Sequence, residues 1–380
     1  MPCSNVMRKG FPASNRGLRM TFLRSEESRR QFEEDEQKRR HAPREEYEMQ
    51  GTRIGLAAAL LLAGGIAAAS AQEGKTVCYA FQDLSTGFWV AGHSAIVKTL
   101  EEGGVEVIEL NGGHDANRQL EQVKDCIAQG GDGIILTADD GDSGTVVVAE
   151  AQNSDVPIAT FNRPPSDMTK GIIVVADNEA VARAAVDAMI AEAQKKFDAT
   201  GNKLKPLILM GDLADPNAVQ RRAGFMNAIA KHPDLFEAPV EVATKWNSQV
   251  ALAGLEAAMT ADPSIDFIFT SSDFLFPTIQ SVLEPLGKWK KAGEEGHVIL
   301  GGLDGDDGAC KLIKEGYVDS TGVQDVYLEA QLALTGILEA IEAGETQPNA
   351  VKLDPGFALS QANFAEMGDK TWGCQVLAGM

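Results

Sequence analysis

The chain has 380 residues, of which 44% are hydrophobic, and its 55 acidic against 34 basic side chains give a net charge of −21. Such a surface repels phosphate backbones and acidic membranes, so nucleic acid is a poor partner. A chain of this length can bury cores large enough to be stable without disulfides.

The first 48 residues are predicted to lie outside the folded protein. Residues 24–48 consist mostly of Glu, Arg, Lys and Gln and show almost no apolar periodicity. They therefore cannot bury enough surface to offset the entropy of ordering. We interpret residues 1–48 as a disordered extension or as a misplaced start, with Met49 as the true initiator.

Residues 49–71 have the three parts of a secretory signal peptide. Arg53 supplies a positive charge, residues 54–67 form an apolar run, and Ala69-Ser70-Ala71 supplies the small residues that signal peptidase recognises. This pattern predicts export to the periplasm and cleavage near Ala71. The alternative is a membrane anchor, but the apolar run is shorter than the about 20 residues that a spanning helix needs.

The exported chain is more acidic than the whole and retains four cysteines. Residues 1–71 hold 12 basic and 9 acidic side chains, so a net charge of −24 remains after cleavage. An oxidising compartment permits one or two disulfides. Pairing of Cys78 with Cys126 and of Cys310 with Cys374 is one prediction, and buried free thiols are the other.

From Lys75 onward, apolar runs typical of strands alternate with amphipathic helical windows, for example at residues 115–129 and 179–197. This alternation indicates an α/β fold with parallel sheets flanked by helices. Ten strands are too many for one ordinary lobe, so two lobes are predicted, with a break near Ala176. The predicted strands are residues 77–81, 105–110, 133–137, 158–161, 172–175, 207–210, 240–244, 267–270, 298–301 and 320–323.

Ligands of an open parallel sheet bind beyond the carboxyl ends of its strands, where loops and helix N-termini converge. The candidate ligand-binding residues are therefore the polar and aromatic side chains that follow the predicted strands; Asn247 and Asp273 stand in the same loops. The candidates are Gln82, Asp83, Thr86, Phe88, Trp89, Asp139, Asp140, Asn162, Arg163, Asp215, Asn217, Arg221, Trp246, Ser272, Asp304 and Gln324.

These side chains suit a sugar or a sugar alcohol. Such a ligand offers C–H faces that stack on aromatic rings, and hydroxyls that donate to carboxylates and accept from Arg or Asn. Hydrogen bonds to charged groups are worth ~1.5–3 kcal/mol, so a few of them with a stacked ring would reach the ~8 kcal/mol of a micromolar complex. The sequence predicts that Asp304→Ala abolishes sugar binding and leaves the melting temperature of the ligand-free protein nearly unchanged.

Each candidate also has a purely structural interpretation. One ring of the pair Phe88 and Trp89 could belong to the core at the start of a helix. Asp139, Asp140 and Asp142 could form an N-cap cluster. Arg163 could form a structural ion pair, and Arg221 could be a charge on the outer face of a helix.

The sequence does not contain the GxSxG, GxGxxG or GxxxxGK[ST] signatures of enzymes and nucleotide-binding proteins. Its histidines lack the spacing of metal ligands, and the acidic run at residues 304–308 lacks the spacing of an EF-hand. We therefore predict a protein that is not an enzyme and uses no cofactor and no metal. An enzyme that uses paired carboxylates in a cleft is the alternative.

From Lys75 to about Asn363 the chain resembles the periplasmic sugar-binding proteins of the ribose and galactose type, the soluble receptors of ABC importers. The order of the motifs carries the resemblance, and it extends over nearly the whole exported chain. The motifs are DLSTGFW, NGGHDANRQLEQVKDCIAQGGDGIIL, VPIATFNR, VVADNEAVAR, GDLADPNAVQRRAGF, FIFTSSD, ILGGLDGDDGACKLIKEG and TGVQDVYLEAQLAL.

The resemblance implies two Rossmann-like lobes, joined by three hinge crossings, that close over one monosaccharide. It places the N-terminal lobe at residues 72–176 plus 325–353 and the C-terminal lobe at residues 177–324 plus 354–380. It further implies a monomeric receptor that docks a membrane permease, with a chemoreceptor as a second partner of such proteins. The crossings would fall at residues 176–178, 324–326 and 353–355.

The chain departs from the ribose type at several of these positions. The first loop has Ser-Thr-Gly in place of an Asn pair and a Pro, Trp246 replaces a Phe, and Ser272 replaces an Asn. Val219 stands where an Arg often contacts the sugar. These differences leave the identity of the sugar open among pentoses, other aldoses, amino sugars and sugar alcohols.

Two other classes share this lobe architecture. A sugar-responsive repressor would need an N-terminal helix-turn-helix and a basic surface, which the signal peptide and the negative charge disfavour. A sensory ectodomain that presents the ligand to a chemoreceptor or a sensor kinase would need a transmembrane segment, and we expect none after Gly379.

Overall fold

The computed structural model describes residues 74–379. The predicted extension at residues 1–48 and the predicted signal peptide at residues 49–71 lie outside these residues. Within the described part, two six-stranded sheets form the framework, and helices pack on both faces of each sheet. None of the described helices is long and apolar enough to cross a membrane.

The first sheet has the order β11-β5-β4-β3-β1-β2, and all neighbouring strands are parallel. We call this sheet and the helices packed on it the N-lobe. Its strands are β1 (Thr76–Phe81), β2 (Glu106–Asn111), β3 (Gly133–Leu136), β4 (Ile158–Thr160), β5 (Gly171–Ala176) and β11 (Asn349–Asp354). Its helices are α1 (Gly87–Glu102), α2 (Ala116–Ala128), α3 (Gly141–Asn153) and α9 (Val326–Ala343).

The second sheet has the order β12-β10-β9-β8-β6-β7 and is parallel except for β12, which pairs antiparallel with β10. We call this sheet and its helices the C-lobe. Its strands are β6 (Lys205–Met210), β7 (Val240–Ala243), β8 (Ile265–Thr270), β9 (Ile299–Asp304), β10 (Ser320–Val323) and β12 (Phe357–Ser360). Its helices are α4 (Asn178–Thr200), α5 (Pro216–Ile229), α6 (Ser248–Ala261), α7 (Phe276–Leu283), α8 (Asp307–Glu315), α10 (Phe364–Met367) and α11 (Trp372–Ala378).

The predicted fold class is confirmed, and all ten predicted strands are present with ends shifted by at most three residues. The sequence patterns did not reveal β11 and β12. Strand β11 lies at the edge of its sheet, and its outer residues are exposed. It therefore lacks the continuous apolar run by which the buried strands were recognised.

The chain passes between the two sheets three times. It leaves the N-lobe after Ala176, returns between Val323 and Val326, and leaves again between Asp354 and Phe357. Asp354 joins all three passages, because its carbonyl accepts from the N–H of Asp177 at 2.9 Å and its carboxylate accepts from the N–H of Asp325 at 2.6 Å.

The central strands are buried on both faces, as expected for parallel sheets. In β1, Val77 and Tyr79 face one hydrophobic cluster while Cys78 and Ala80 face another. Successive side chains of a strand point to opposite faces of the sheet, so β1 contributes to two hydrophobic clusters.

The structure contains both of the predicted disulfides. Cys78 and Cys126 join β1 to α2, and Cys310 and Cys374 join α8 to α11. The alternative of free buried thiols is therefore wrong. In the chain-entropy model, loops of this length give each disulfide a stabilising contribution of about 4 kcal/mol.

Candidate ligand-binding cleft

All sixteen predicted ligand-binding residues line one cavity of about 410 Å³. The cavity lies between the two sheets, at the carboxyl ends of their parallel strands. Asn247 also lines it, whereas Asp273 is buried behind it and binds the backbone of Gly305. Six further lining residues escaped the prediction: Ser85, His114, Asp212, Ala214, Lys245 and Phe274. Five of them stand in loops that the sequence had already indicated. His114 lies in the loop after β2, and its position after a predicted strand is the same signal that identified the other candidates.

Helix caps hold several of these side chains at the cavity. The Thr86 hydroxyl accepts from the N–H of Trp89 at the start of α1, and Asp140 forms a capping box with Ser143 at the start of α3. Asp215 caps α5, where its carboxylate accepts from the N–H of Asn217 at 2.9 Å. The capping interpretation of Asp140 is therefore correct, and the residue lines the cavity as well.

Aromatic rings contribute from both lobes. Phe88 is buried and stacks against Phe161 at 6.4 Å, so it is mainly a core ring that supports Trp89, whose ring meets it edge-to-face at 5.1 Å. Trp246, in the C-lobe, covers Gly211 so closely that any Cβ at that position would overlap the indole ring. Glycine at position 211 thus allows Trp246 to lie at the cavity wall.

Two buried arginines form ion pairs in the cavity. Arg163 of the N-lobe has its Nε 3.1 Å from Oδ2 of Asp215 of the C-lobe, although the angle is unsuitable for a hydrogen bond and the ion pair is electrostatic. Arg221 Nη1 donates to Asp304 at 3.1 Å. Each guanidinium also lies over an indole ring, Arg163 over Trp89 at 5.5 Å and Arg221 over Trp246 at 5.8 Å.

The carboxylate of Asp304 has three side-chain partners at the cavity. It accepts from Arg221, from Gln324 Nε2 at 2.8 Å and from the hydroxyl of Ser272. Burial raises its pKa, and the charge of Arg221 and the bond from Ser272 oppose that shift. In contrast to the expectation from the sequence, the structure leads us to expect that Asp304→Ala lowers the melting temperature of the ligand-free protein, because Arg221 would lose its buried partner.

Amide side chains connect the lobes beneath the cavity. Asn162 Nδ2 donates to Gln324 at 3.1 Å and to Glu329 at 2.8 Å, and Asn217 Nδ2 donates to the carbonyl of Asn162 at 3.2 Å. Asn162 has a φ of 63°, a conformation that Asn tolerates better than most residues. Buried amides with both donors and acceptors in use fix the position of every member.

A histidine that lies between two aspartates borders the mouth of the cavity. His114 Nε2 lies 3.1 Å from Asp83 Oδ2, and its Nδ1 lies 3.2 Å from Asp139 Oδ1. Asp139 therefore contacts His114 as well as forming part of the cavity wall. No group of His, Cys, Asp and Glu within residues 74–379 has the arrangement of a metal site.

Glu329 provides a pH-dependent contribution to stability. Its burial and the charge of Asp354 raise its pKa to about 8, against the opposing bond from Asn162. An unfolded Glu has a pKa of about 4.3, so between these values only the folded protein keeps the proton. The stabilisation is complete below pH ~4.3 and is lost as the pH rises through 8, by about 1.4 kcal/mol per pH unit.

Glu329→Gln should remove this part of the pH dependence, because the amide cannot release a proton. Urea unfolding of both proteins at pH 5, 6, 7 and 8 measures the difference. Burial also raises the pKa of Asp273 and that of Asp306, but these groups act equally in both proteins and cancel. Parallel stability curves for the two proteins would contradict the assignment to Glu329.

The family model described as a periplasmic binding protein domain matches residues 77–346. The chain is 26% identical to the xylitol-binding protein of Mycolicibacterium smegmatis over 307 residues, which are 80% of this chain and 81% of that protein. It is also 26% identical to the D-xylose-binding periplasmic protein of Escherichia coli, over 74% of this chain and 81% of that protein.

Solved structures share the same fold. An ABC transporter solute-binding protein of Bacillus halodurans with bound myo-inositol superposes with a TM-score of 0.68 at 19% identity, over 79% of this chain and 99% of that chain. A solute-binding protein of Mycobacterium smegmatis with bound glycerol has a TM-score of 0.67 at 20% identity, over 77% of this chain and 96% of that chain.

Proposed function

Because this chain belongs to the family of periplasmic binding protein domains, we propose that it is the substrate receptor of an ABC importer. It captures a monosaccharide or a sugar alcohol in the cleft between the lobes and delivers the ligand, chemically unaltered, to a membrane permease. Export through the segment at residues 49–71 brings it to the periplasm, where it acts as a monomer. The named relatives are binding proteins for xylitol and D-xylose, which supports this class of ligand.

One observation carries the proposal: each lobe presents an indole ring to a single cavity, and the C-lobe adds two buried carboxylates. Trp89 and Trp246 offer apolar faces to C–H groups, while Asp215 and Asp304 accept hydrogen bonds from hydroxyls. The two carboxylates are balanced by Arg163 and Arg221. This inner part of the cavity therefore suits a neutral ligand better than a sugar phosphate.

Contacts between the lobes support a mechanism of closure. Besides the ion pair of Arg163 with Asp215, the N–H of Gly141 donates to the carbonyl of Ala214 at 3.2 Å. A ligand that touches both lobes adds contacts that exist only in the closed state, and it shifts the population by the difference in affinity. A shift from mostly open to mostly closed requires several kcal/mol, which the predicted contacts can supply.

A thermal-shift screen tests the proposal with pentoses, hexoses, amino sugars, inositols and linear sugar alcohols, and sugar phosphates serve as controls. A true ligand at 100 times its dissociation constant adds ~2.7 kcal/mol of stability, which raises the melting temperature by several degrees. Sugar phosphates should give no shift. A protein that responds to none of the neutral compounds would contradict the proposed function.

Prolonged incubation with the ligand separates the receptor from an enzyme. Chromatography should recover the sugar unchanged. Its conversion to another compound would overturn the assignment as a binding protein.

A further inference from the structure

The C-terminal residues 361–379, which we call the C-terminal segment, lie beyond the part of the chain that the family model matches. They contain α10 and α11. Trp372, the first residue of α11, has only 2% of its surface exposed. A tryptophan buried to this extent is packed against other parts of the protein.

Trp372 touches both lobes. Its indole Nε1 donates to the backbone carbonyl of Asp304 at 2.8 Å, in the C-lobe. Its ring meets the edge of Phe88 at 5.9 Å and that of Tyr327 at 6.4 Å, both in the N-lobe. The C-terminal segment therefore bridges the lobes beside Asp304, whose carboxylate lines the cavity.

Trp372 also supports an unusual backbone. Asp304 has a φ of 139°, a value that residues with a side chain rarely adopt. Such a conformation persists only when its surroundings hold it. The N–H of Gly373 donates to the carbonyl of Gly305 at 3.2 Å, and a Cβ at Gly373 would overlap the backbone of Asp306. The start of α11 is thus packed directly on the loop that carries Asp304.

The disulfide between Cys310 and Cys374 fastens this arrangement. Helix α11 has seven residues, and an isolated helix of that length is not stable in water. Cys374 follows Trp372 by two positions and links α11 covalently to α8, whose first residues follow the Asp304 loop. By contrast, the disulfide between Cys78 and Cys126 lies within the N-lobe, and neither cysteine lines the cavity.

The geometry points to the C-terminal segment as a latch: Trp372, held by the Cys310–Cys374 disulfide, positions Asp304 for the ligand and stabilises the closed state. The part of this inference that concerns ligand affinity rests on the proposed function. The part that concerns closure does not, because the contacts of Trp372 with Phe88 and Tyr327 join the lobes without a ligand. Trp372 is a positioning residue, since it lies outside the cavity wall.

Two tryptophan variants separate the hydrogen bond from the packing. Trp372→Phe keeps a ring against Phe88 but loses the donor to Asp304, and one neutral hydrogen bond corresponds to about a three- to tenfold loss of affinity. Trp372→Ala loses both and should weaken binding by about ten- to a hundredfold. Titration calorimetry with the neutral sugar or sugar alcohol that gives the largest thermal shift measures both.

The two disulfides provide a matched pair of variants. Cys310→Ser with Cys374→Ser should weaken binding about tenfold, whereas Cys78→Ser with Cys126→Ser should lower the melting temperature and leave the affinity within twofold. Equal affinities for both disulfide variants, or an unchanged affinity for Trp372→Phe, would overturn the positioning role.

Small-angle X-ray scattering decides the closure role without any sugar. The Trp372→Ala protein and the variant without the Cys310–Cys374 disulfide should have a larger radius of gyration than the wild type, because the lobes open. The variant without the Cys78–Cys126 disulfide should not. Equal radii would overturn the latch even if sugars bind, whereas a protein that opens as expected but binds no polyol would contradict the proposed function alone.

Discussion

Arg163→Met should weaken binding of the preferred sugar by about two to three orders of magnitude. Arg163 and Asp215 are each less than a tenth exposed and come from opposite lobes. Removing one member of a buried ion pair leaves the other charge without a partner, at a cost of about 3–5 kcal/mol. We expect the cost to fall on the closed state, because Arg163 and Asp215 belong to opposite lobes, whereas Trp246, whose Nε1 donates to Asp215 at 3.2 Å, belongs to the same lobe as Asp215.

Titration calorimetry of four proteins measures this effect: the wild type, Arg163→Met, Asp215→Asn and the double variant. The double variant should bind better than the sum of the single losses predicts, because it buries no unpaired charge. Arg222→Met is the matched control. Arg222 pairs with Glu241 on the exposed surface of the C-lobe, where an ion pair contributes about 0–1 kcal/mol, so affinity should not change. Strictly additive losses in the double variant would refute direct coupling between Arg163 and Asp215.

Trp89→Ala should weaken sugar binding by about 10- to 100-fold. The indole ring is half-buried at the start of α1 and lines the cavity, so a ligand would complete its burial. Full burial of a large apolar side chain is worth about 1.5–3 kcal/mol. Alanine is a good helix former, so the ligand-free protein should keep its fold. Isothermal titration gives the affinity, and circular dichroism gives the melting temperature.

Trp289→Ala is the control for loss of an indole ring. Trp289 stacks on Tyr317 at 5.1 Å with nearly parallel rings and packs against the hydrophobic core without lining the cavity. Its loss should lower the melting temperature and leave sugar affinity unchanged. If Trp89→Ala lowers the melting temperature as much as Trp289→Ala and binds as well as the wild type, Trp89 is a structural residue.

The position of the cavity could be predicted because the relevant signals are local. Each predicted strand is a largely apolar run of four to six residues, and the polar residues that follow it are adjacent in the chain. Parallel strands bring all such ends to one edge of a sheet. The same cavity could therefore be expected to contain Trp89, Arg163 and Asp304, although they are far apart in the sequence.

The partners within that group could not be predicted. No sequence pattern distinguishes the buried Arg221, which pairs with Asp304, from the exposed Arg222 beside it. Likewise, the sequence does not show that Phe88 is buried whereas its neighbour Trp89 is only half-buried, although both rings line the cavity. Trp372 gave no signal at all, because its contacts with Asp304 and Phe88 arise from packing between distant segments.

The sequence by itself determined the α/β class, the two-lobe organisation and the set of loops that surround the cleft, because strand periodicity and strand ends are encoded within a few neighbouring residues. Only the tertiary structure decided which charges pair across the cleft, which aromatic rings remain available to a ligand and how the C-terminal segment supports Asp304. These features depend on how two separately formed sheets and their helices pack against each other, and that packing is a property of contacts between residues distant in the chain.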